Sequence, residues 1–285
     1  MSDRHVVACI DGSTHSAAVC DYAAWASKRL TKPLTLLHNI EPAYDPVVTD
    51  FSGLMELDGR ETLLEELTSI EEQRSRLMLE QGKFILNAAR QRAVFAGAVE
   101  PLTKQRHDGL TESLIELEDG IELVVLGIRG ADHEKDNQHL GGHLESSIRA
   151  VHQPILVVNN TFKKPQKIML AYDASEPCEK ALNLLLTSTL LTKLPVHLVT
   201  SGQSRRVTKL SQREAQESLA AAGHEVVAVM VDGPVGESLH QYQRDNDIDL
   251  TLMGAFGHTR LREFVFGSVT VKILLSANRP LLLVR

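Results

Sequence analysis

Aromatic side chains are scarce in this 285-residue chain, at 4% of the whole with a single tryptophan. That leaves little from which to build the stacking platforms of single-strand nucleic-acid binders. Positive charge is not in excess either. Lys and Arg number 30 against 37 Asp and Glu, a net charge of −7, whereas nucleic-acid binding calls for a clustered basic face. No apolar run approaches the roughly eighteen residues of a membrane-spanning helix. The N-terminus leads straight into Val6–Ile10, too short for a signal-peptide core. The three cysteines, Cys9, Cys20 and Cys178, form no CxxC pair and leave one unpaired, which excludes a disulfide framework and fits a reducing compartment. The expectation is a cytoplasmic protein with no membrane and no nucleic-acid partner. A GxxxxGK[ST] phosphate loop is missing, which removes the Walker-type ATPases.

What the chain does have is a duplication. His5-Val-Val-Ala-Cys-Ile-Asp-Gly-Ser13 is matched by Lys167-Ile-Met-Leu-Ala-Tyr-Asp-Ala-Ser175, each an apolar run closing in Asp, a small residue and Ser. A helical pattern follows each, then a Pro-led strand beginning at Pro33 or Pro195. Further on, Glu122–Gly127 parallels Asp249–Gly254, and Gln153–Val158 parallels Arg279–Val284. The same order at both ends of each copy argues for two domains, 1–160 and 161–285. Near-continuous apolar strands alternating with helices read as βαβ units with a parallel sheet covered on both faces. The fold class expected is α/β, two tandem doubly wound five-stranded domains. Strands are expected near 5–10, 34–40, 98–105, 122–127 and 155–159, and near 167–172, 196–200, 225–231, 249–254 and 280–284. The polar linker Asn159–Pro165 is short, so the copies should pack together.

The first copy carries an extra stretch after Pro42. Asp58–Ala96 is rich in Glu, Leu, Arg and Gln and has no Pro, which predicts a long amphipathic helix. It would serve either as a crossover covering the sheet edge or as a lid or partner surface.

The chemistry concentrates between Met253 and Thr270. Gly254 ends a strand, Gly257 follows after two residues, and Gly267-Ser268 after nine more, opening the last helix. Glycine admits backbone angles and close ligand approach that a Cβ would forbid. A helix N-terminus offers free N–H donors and partial positive charge to a phosphate. In open parallel sheets the ligand crevice lies at the carboxyl ends of the strands where strand order switches, which brings Asp173 beside this loop.

This spacing, with Val269-Thr270 after it, the opening Ile10-Asp11-Gly12-Ser13 and the closing Pro280–Val284, resembles the universal stress protein family over nearly the whole chain. The resemblance implies an ATP or ADP site, with Mg²⁺ held through Asp173. It places adenine at Ser201, and the ribose and phosphates along Ala171, Asp173, Met253, Gly254, Gly257, Arg260, Gly267, Ser268 and Val269. It also implies the adenine nucleotide α-hydrolase-like fold. Single-domain members of the family dimerise through the last strand, so a tandem chain can close on itself as an internal pseudo-dimer, Ile155–Val158 against Leu281–Val284. Such a chain could stay monomeric or pair again as a homodimer through the long helix.

The first copy departs from the pattern. Gly127 and Gly130 match, but Leu140 stands where Gly is required, and Gly141-Gly142 arrives one residue late without the serine. Asp132, Glu134 and Asp136 would repel phosphates, whereas His258, Arg260 and Arg262 in the second copy favour them. A weaker or different second site is therefore expected from Asp11, Asn39, Gly127, Gly130, Gly141 and Gly142. His133, His139 and His143 invite a metal reading that the glycines between them argue against.

Three functions follow in order. The first is a nucleotide-dependent stress sensor or adaptor, not an enzyme, with slow ATP hydrolysis left open. The second is an interaction or small-ligand protein without nucleotide. The third is an adenine-nucleotide hydrolase-type enzyme. The Ser-Gly-Gly-x-Asp-Ser loop of such enzymes is replaced here by Asp11–Thr14 and Asp173–Glu176.

Overall fold

The structure is a computed structural model. It describes residues 4–40, 57–129, 142–202, 207–255, 273–274 and 277–285, with residues 57–65 and 142 in backbone only. The first copy runs β1 (His5–Cys9), α1 (Ser16–Leu30), β2 (Leu34–Asn39), α2 (Leu57–Phe95), β3 (Leu102–Arg106), α3 (Leu110–Leu117), β4 (Ile121–Gly127), α4 (Gly142–Ala150) and β5 (Ile155–Val158). The second runs β6 (Ile168–Ala171), α5 (Glu176–Thr187), β7 (Val196–Ser201), α6 (Lys209–Ala221), β8 (Val226–Val231), α7 (Val235–Asp245), β9 (Leu250–Gly254) and β10 (Leu281–Val284).

The ten strands of the described residues belong to one sheet, in the order β3-β2-β1-β4-β5-β10-β9-β6-β7-β8. Every pairing is parallel except the central one. There β10 runs antiparallel to β5, with Leu281 opposite Val157, Leu282 opposite Leu156 and Leu283 opposite Ile155. Each copy is thus a doubly wound half-sheet, and the last strands join the halves into the expected pseudo-dimer. The inner strands are apolar throughout because helices cover both faces: β1, β2, β4, β5, β9 and β10 are buried over most or all of their length. The outer strands differ as edges should. Leu102-Thr-Lys-Gln-Arg106 carries charge and β8 is half exposed, which discourages further pairing.

The expected strand at 98–105 begins four residues late. Gly97 (φ 96°) and Glu100 (φ 43°) adopt left-handed backbone and Pro101 follows, so this stretch turns before the ladder starts. The long helix forms with close to its expected bounds, at 39 residues. It does not, however, cover the sheet along its length. Leu86, Ala89 and Ala93 are buried against the core, whereas Glu66–Leu77 is exposed throughout.

α1, α2, α5 and α6 cover one face, and α3, α4 and α7 the other. α1 is buried from Ala18 to Ser27, on every side, because small residues let the sheet, α2 and the second copy all approach it. Arg92 on α2 forks onto Asp21, with Nε to Oδ1 at 2.8 Å and Nη2 to Oδ2 at 2.6 Å. Arg29, at the end of α1, donates to the carbonyls of Leu190 (2.9 Å) and Thr192 (3.0 Å) in the other copy. Thr189 returns a hydrogen bond to the Arg29 carbonyl at 2.8 Å. The linker is fixed as well. Lys163 pairs with the buried Asp249 at 2.5 Å, and Asp249 Oδ2 accepts from the backbone of Gln166 and Lys167. Burial alone would raise the Asp249 carboxyl, but Lys163 and the two amides outweigh it and hold the group below the usual carboxylate range.

Candidate functional site at the strand-order switch

In the second half-sheet, β6 and β9 are neighbours, yet their crossovers leave in opposite directions, β6 toward β7 and β9 toward β10. This divergence opens the crevice in which open α/β sheets bind ligands. Ala171 lies opposite Met253 in the ladder, and Val284 opposite Gly254. Ser201 closes β7 on the other side of β6. Ala171, Asp173, Ser201, Met253 and Gly254 therefore meet along three adjacent strand ends.

The turn after β6 is built locally. Asp173 Oδ1 accepts from the Ser175 amide at 3.0 Å, an Asx-type turn. Ala174 takes left-handed backbone (φ 54°), and Ser175 caps α5, accepting from the Cys178 amide at 3.4 Å. Cys178 Sγ donates to the Ala171 carbonyl at 3.4 Å. Asp173 itself is exposed, which leaves its carboxylate available to a cation.

Gly254 has a reason to be glycine that its spacing did not disclose. A Cβ there would stand 2.6 Å from the Cys178 amide nitrogen and 2.8 Å from the Pro177 carbonyl carbon. The N-terminus of α5 packs directly on this backbone, and that close approach holds before any ligand enters. Gly257, Arg260, Gly267, Ser268 and Val269 lie outside the described residues, as do His258 and Arg262.

The first copy repeats the turn with glycine in place of Ala174. Asp11 Oδ1 accepts from the Ser13 amide (2.9 Å) and the Ser16 hydroxyl (3.0 Å), and Gly12 has φ 81°. Gly127 is again crowded, a Cβ falling 2.9 Å from His15 Cβ. Asn39, the counterpart of Ser201 at the end of the second strand, is engaged elsewhere. Its Nδ2 donates to the Asp108 carbonyl at 2.8 Å and to Ser113 Oγ at 2.7 Å, tying β2 to the start of α3. Nearby, Arg106 pairs with Asp108 and Glu116, which sets charge beside this crevice. Asn39 Oδ1 and Arg129 Nε are buried and find no hydrogen-bond partner among the described residues. Sequence reasoning missed Arg129 and the Asn39–Ser113 link, since Ser113 is 74 residues away. Gly142 opens α4, while Gly130 and Gly141 lie outside the described residues, together with His133 and His139.

Among the described residues no cluster of three His, Cys, Asp or Glu is placed to hold a metal ion. All three cysteines are buried, and burial pushes the Cys20 and Cys178 thiols up to about 12. A cleft of about 1010 Å³ runs along α7 past Asp232, His240 and Tyr242, and none of the sequence-derived site residues lines it. Among the described residues no helix is long and apolar enough to cross a membrane.

The family model described as "Universal stress protein family" matches this chain twice, over residues 3–159 and 164–285. Universal stress protein Slr1230 of Synechocystis sp. is 31% identical over 99% of this chain and 100% of its own length. Among solved structures, a universal stress protein from Archaeoglobus fulgidus superposes with a TM-score of 0.70 at 16% identity, covering 100% of this chain and 99% of that one. A second, the putative universal stress protein from Pseudomonas aeruginosa, gives 0.61 at 15% identity over 99% and 93%. At these identities the two structures speak for the fold.

Proposed function

The chain belongs to the universal stress protein family, and from that premise we propose that its second copy binds ATP or ADP and that occupancy sets its shape or choice of partner. We read it as a nucleotide-dependent adaptor of the cytoplasm rather than an enzyme, built from units 1–160 and 161–285. The observation that carries this is the meeting of Asp173, Ser201 and Gly254 at the β6–β9 switch, upstream of a Gly254–Gly257–Gly267-Ser268 spacing suited to phosphates. Ser201 would border the adenine. Ala171, Met253 and Gly254 would border the sugar, and the amides of Gly267, Ser268 and Val269, with Arg260, the phosphates. Mg²⁺ fits at the exposed Asp173 carboxylate, where it would offset the charge of the phosphate chain.

The first copy supports a second reading for itself alone. Its Asn39 is tied to α3, its loop is acidic, and Gly142 stands where the second copy has a serine. Asp11, Asn39, Gly127, Gly130, Gly141 and Gly142 would then form a weak site or one for another small ligand.

Equilibrium dialysis of the pure protein with labelled ATP tests the reading, expecting about one nucleotide per chain. Asp173→Asn keeps the oxygen that accepts from Ser175, so the turn survives. It should weaken ATP binding about tenfold with Mg²⁺ and much less in EDTA. No uptake at sub-millimolar nucleotide would reject the proposal.

A further inference from the structure

Among the described residues, Glu66–Leu77 of α2 is exposed at every position. A helix of this kind is not held by its own propensity in water, and most helical stability comes from packing an apolar face. Such a face is present. Leu67, Ile70, Leu77 and Phe84 are 47%, 61%, 67% and 76% exposed. Ile70, Leu77 and Phe84 recur every seven residues, and Leu67 precedes Ile70 by three. That fills one of the two seam positions of a heptad, the other being held by Leu67, Arg74 and Gln81, and it lies to one side of the face by which Leu86, Ala89 and Ala93 meet the core.

The charges say what covers it. From Glu66 up to Gln73 the helix is acidic: Glu66, Glu71 and Glu72, with no base. Beyond Gln73 the helix is basic: Arg74, Arg76, Lys83, Arg90 and Arg92, with Glu80 the one acid. A second copy of this helix laid antiparallel sets acid against base twice, by two-fold symmetry, and opposes the helix dipoles favourably. A parallel pair would set like charge on like. The antiparallel arrangement also leaves the globular bodies at opposite ends of the pair, because each helix enters its own body at its C-terminal half.

We propose that the projecting half of α2 is a homodimerisation arm, pairing antiparallel with α2 of a second chain through Leu67, Ile70, Leu77 and Phe84. The proposal is independent of nucleotide. The second copy's α6, 13 residues long, offers no such arm.

Sedimentation of the full chain tests it. The wild type should have the mass of two chains, and Ile70→Glu/Leu77→Glu that of one, with unchanged thermal unfolding of the body because both side chains are exposed. Two charge variants test the partner's identity. Glu66→Lys/Glu71→Lys/Glu72→Lys and Arg74→Glu/Arg76→Glu/Lys83→Glu should each be monomeric alone and form a mixed dimer together. A monomeric wild type, a dimer that survives Ile70→Glu/Leu77→Glu, or charge variants that fail to pair when mixed would each overturn the proposal.

Discussion

The Tyr22 hydroxyl donates to the carbonyl of Lys163 and accepts from the amide of the same residue, each at 3.1 Å. One side chain on α1 thus satisfies both backbone groups of a linker residue, while Phe162 meets the Tyr22 ring edge-on at 4.7 Å. Tyr22→Phe keeps the ring contact and removes both hydrogen bonds. Leaving two part-buried backbone groups unmet should cost about 1–3 kcal/mol in urea unfolding, with the slope unchanged.

Asp249 makes stability depend on acid. Its folded pKa lies below that of the unfolded chain, so its contribution is complete above the unfolded value of about 3.9 and disappears as pH falls through the folded one. Asp249→Asn keeps an oxygen for the two backbone donors but loses the charge that pairs with Lys163, and should lose about 2 kcal/mol at neutral pH. Unfolding of the two proteins at falling pH should show the gap closing below pH of about 4.

Structure and ligand are separable at the proposed phosphate motif. Gly254→Ala drives a Cβ into the backbone of Pro177 and Cys178, so it should lose about 2–3 kcal/mol of stability with no nucleotide present. Ser268→Ala should leave the unfolding midpoint of the ligand-free protein in place and weaken ATP about five- to tenfold. Thermal shift with and without ATP reads both effects.

The two copies also supply an exchange experiment. Gly12 and Ala174 hold the same left-handed position, φ 81° and 54°. Ala174→Gly should gain about 0.5–1 kcal/mol, the relief of a strained alanine less the entropy of a looser unfolded chain. Gly12→Ala should lose about 1 kcal/mol, since its Cβ also comes within 3.0 Å of Ile85 Cδ1. Denaturant midpoints of the two variants should move in opposite directions.

The ten strands could be read from the chain because double-sided burial leaves long apolar runs such as Leu123–Leu126, which look alike in both copies. The edge strand β3 was misplaced since Ala98 and Val99 are apolar but precede the turn at Pro101. Asp11, Asp173 and Ser201 were legible as strand-end residues. The reason for Gly254 was not, because its neighbour Cys178 is distant in sequence and backbone proximity leaves no compositional trace. Ala174 gave no sign of its positive φ, although the matching Gly12 did. How far α2 stands clear of the body was equally hidden, as heptad spacing marks a seam without saying whether the chain itself fills it.

The antiparallel register of Leu281–Leu283 on Val157–Ile155 reverses strand direction at the middle of the sheet. The carboxyl ends of β1 and β4 therefore point one way and those of β6 and β9 the other. The two crevices open on opposite rims, so no single small molecule bridges them and neither occupant shields the other. Whatever one mouth reports to its twin has to travel through that seam of hydrogen bonds, or around it by way of Arg29 and Tyr22.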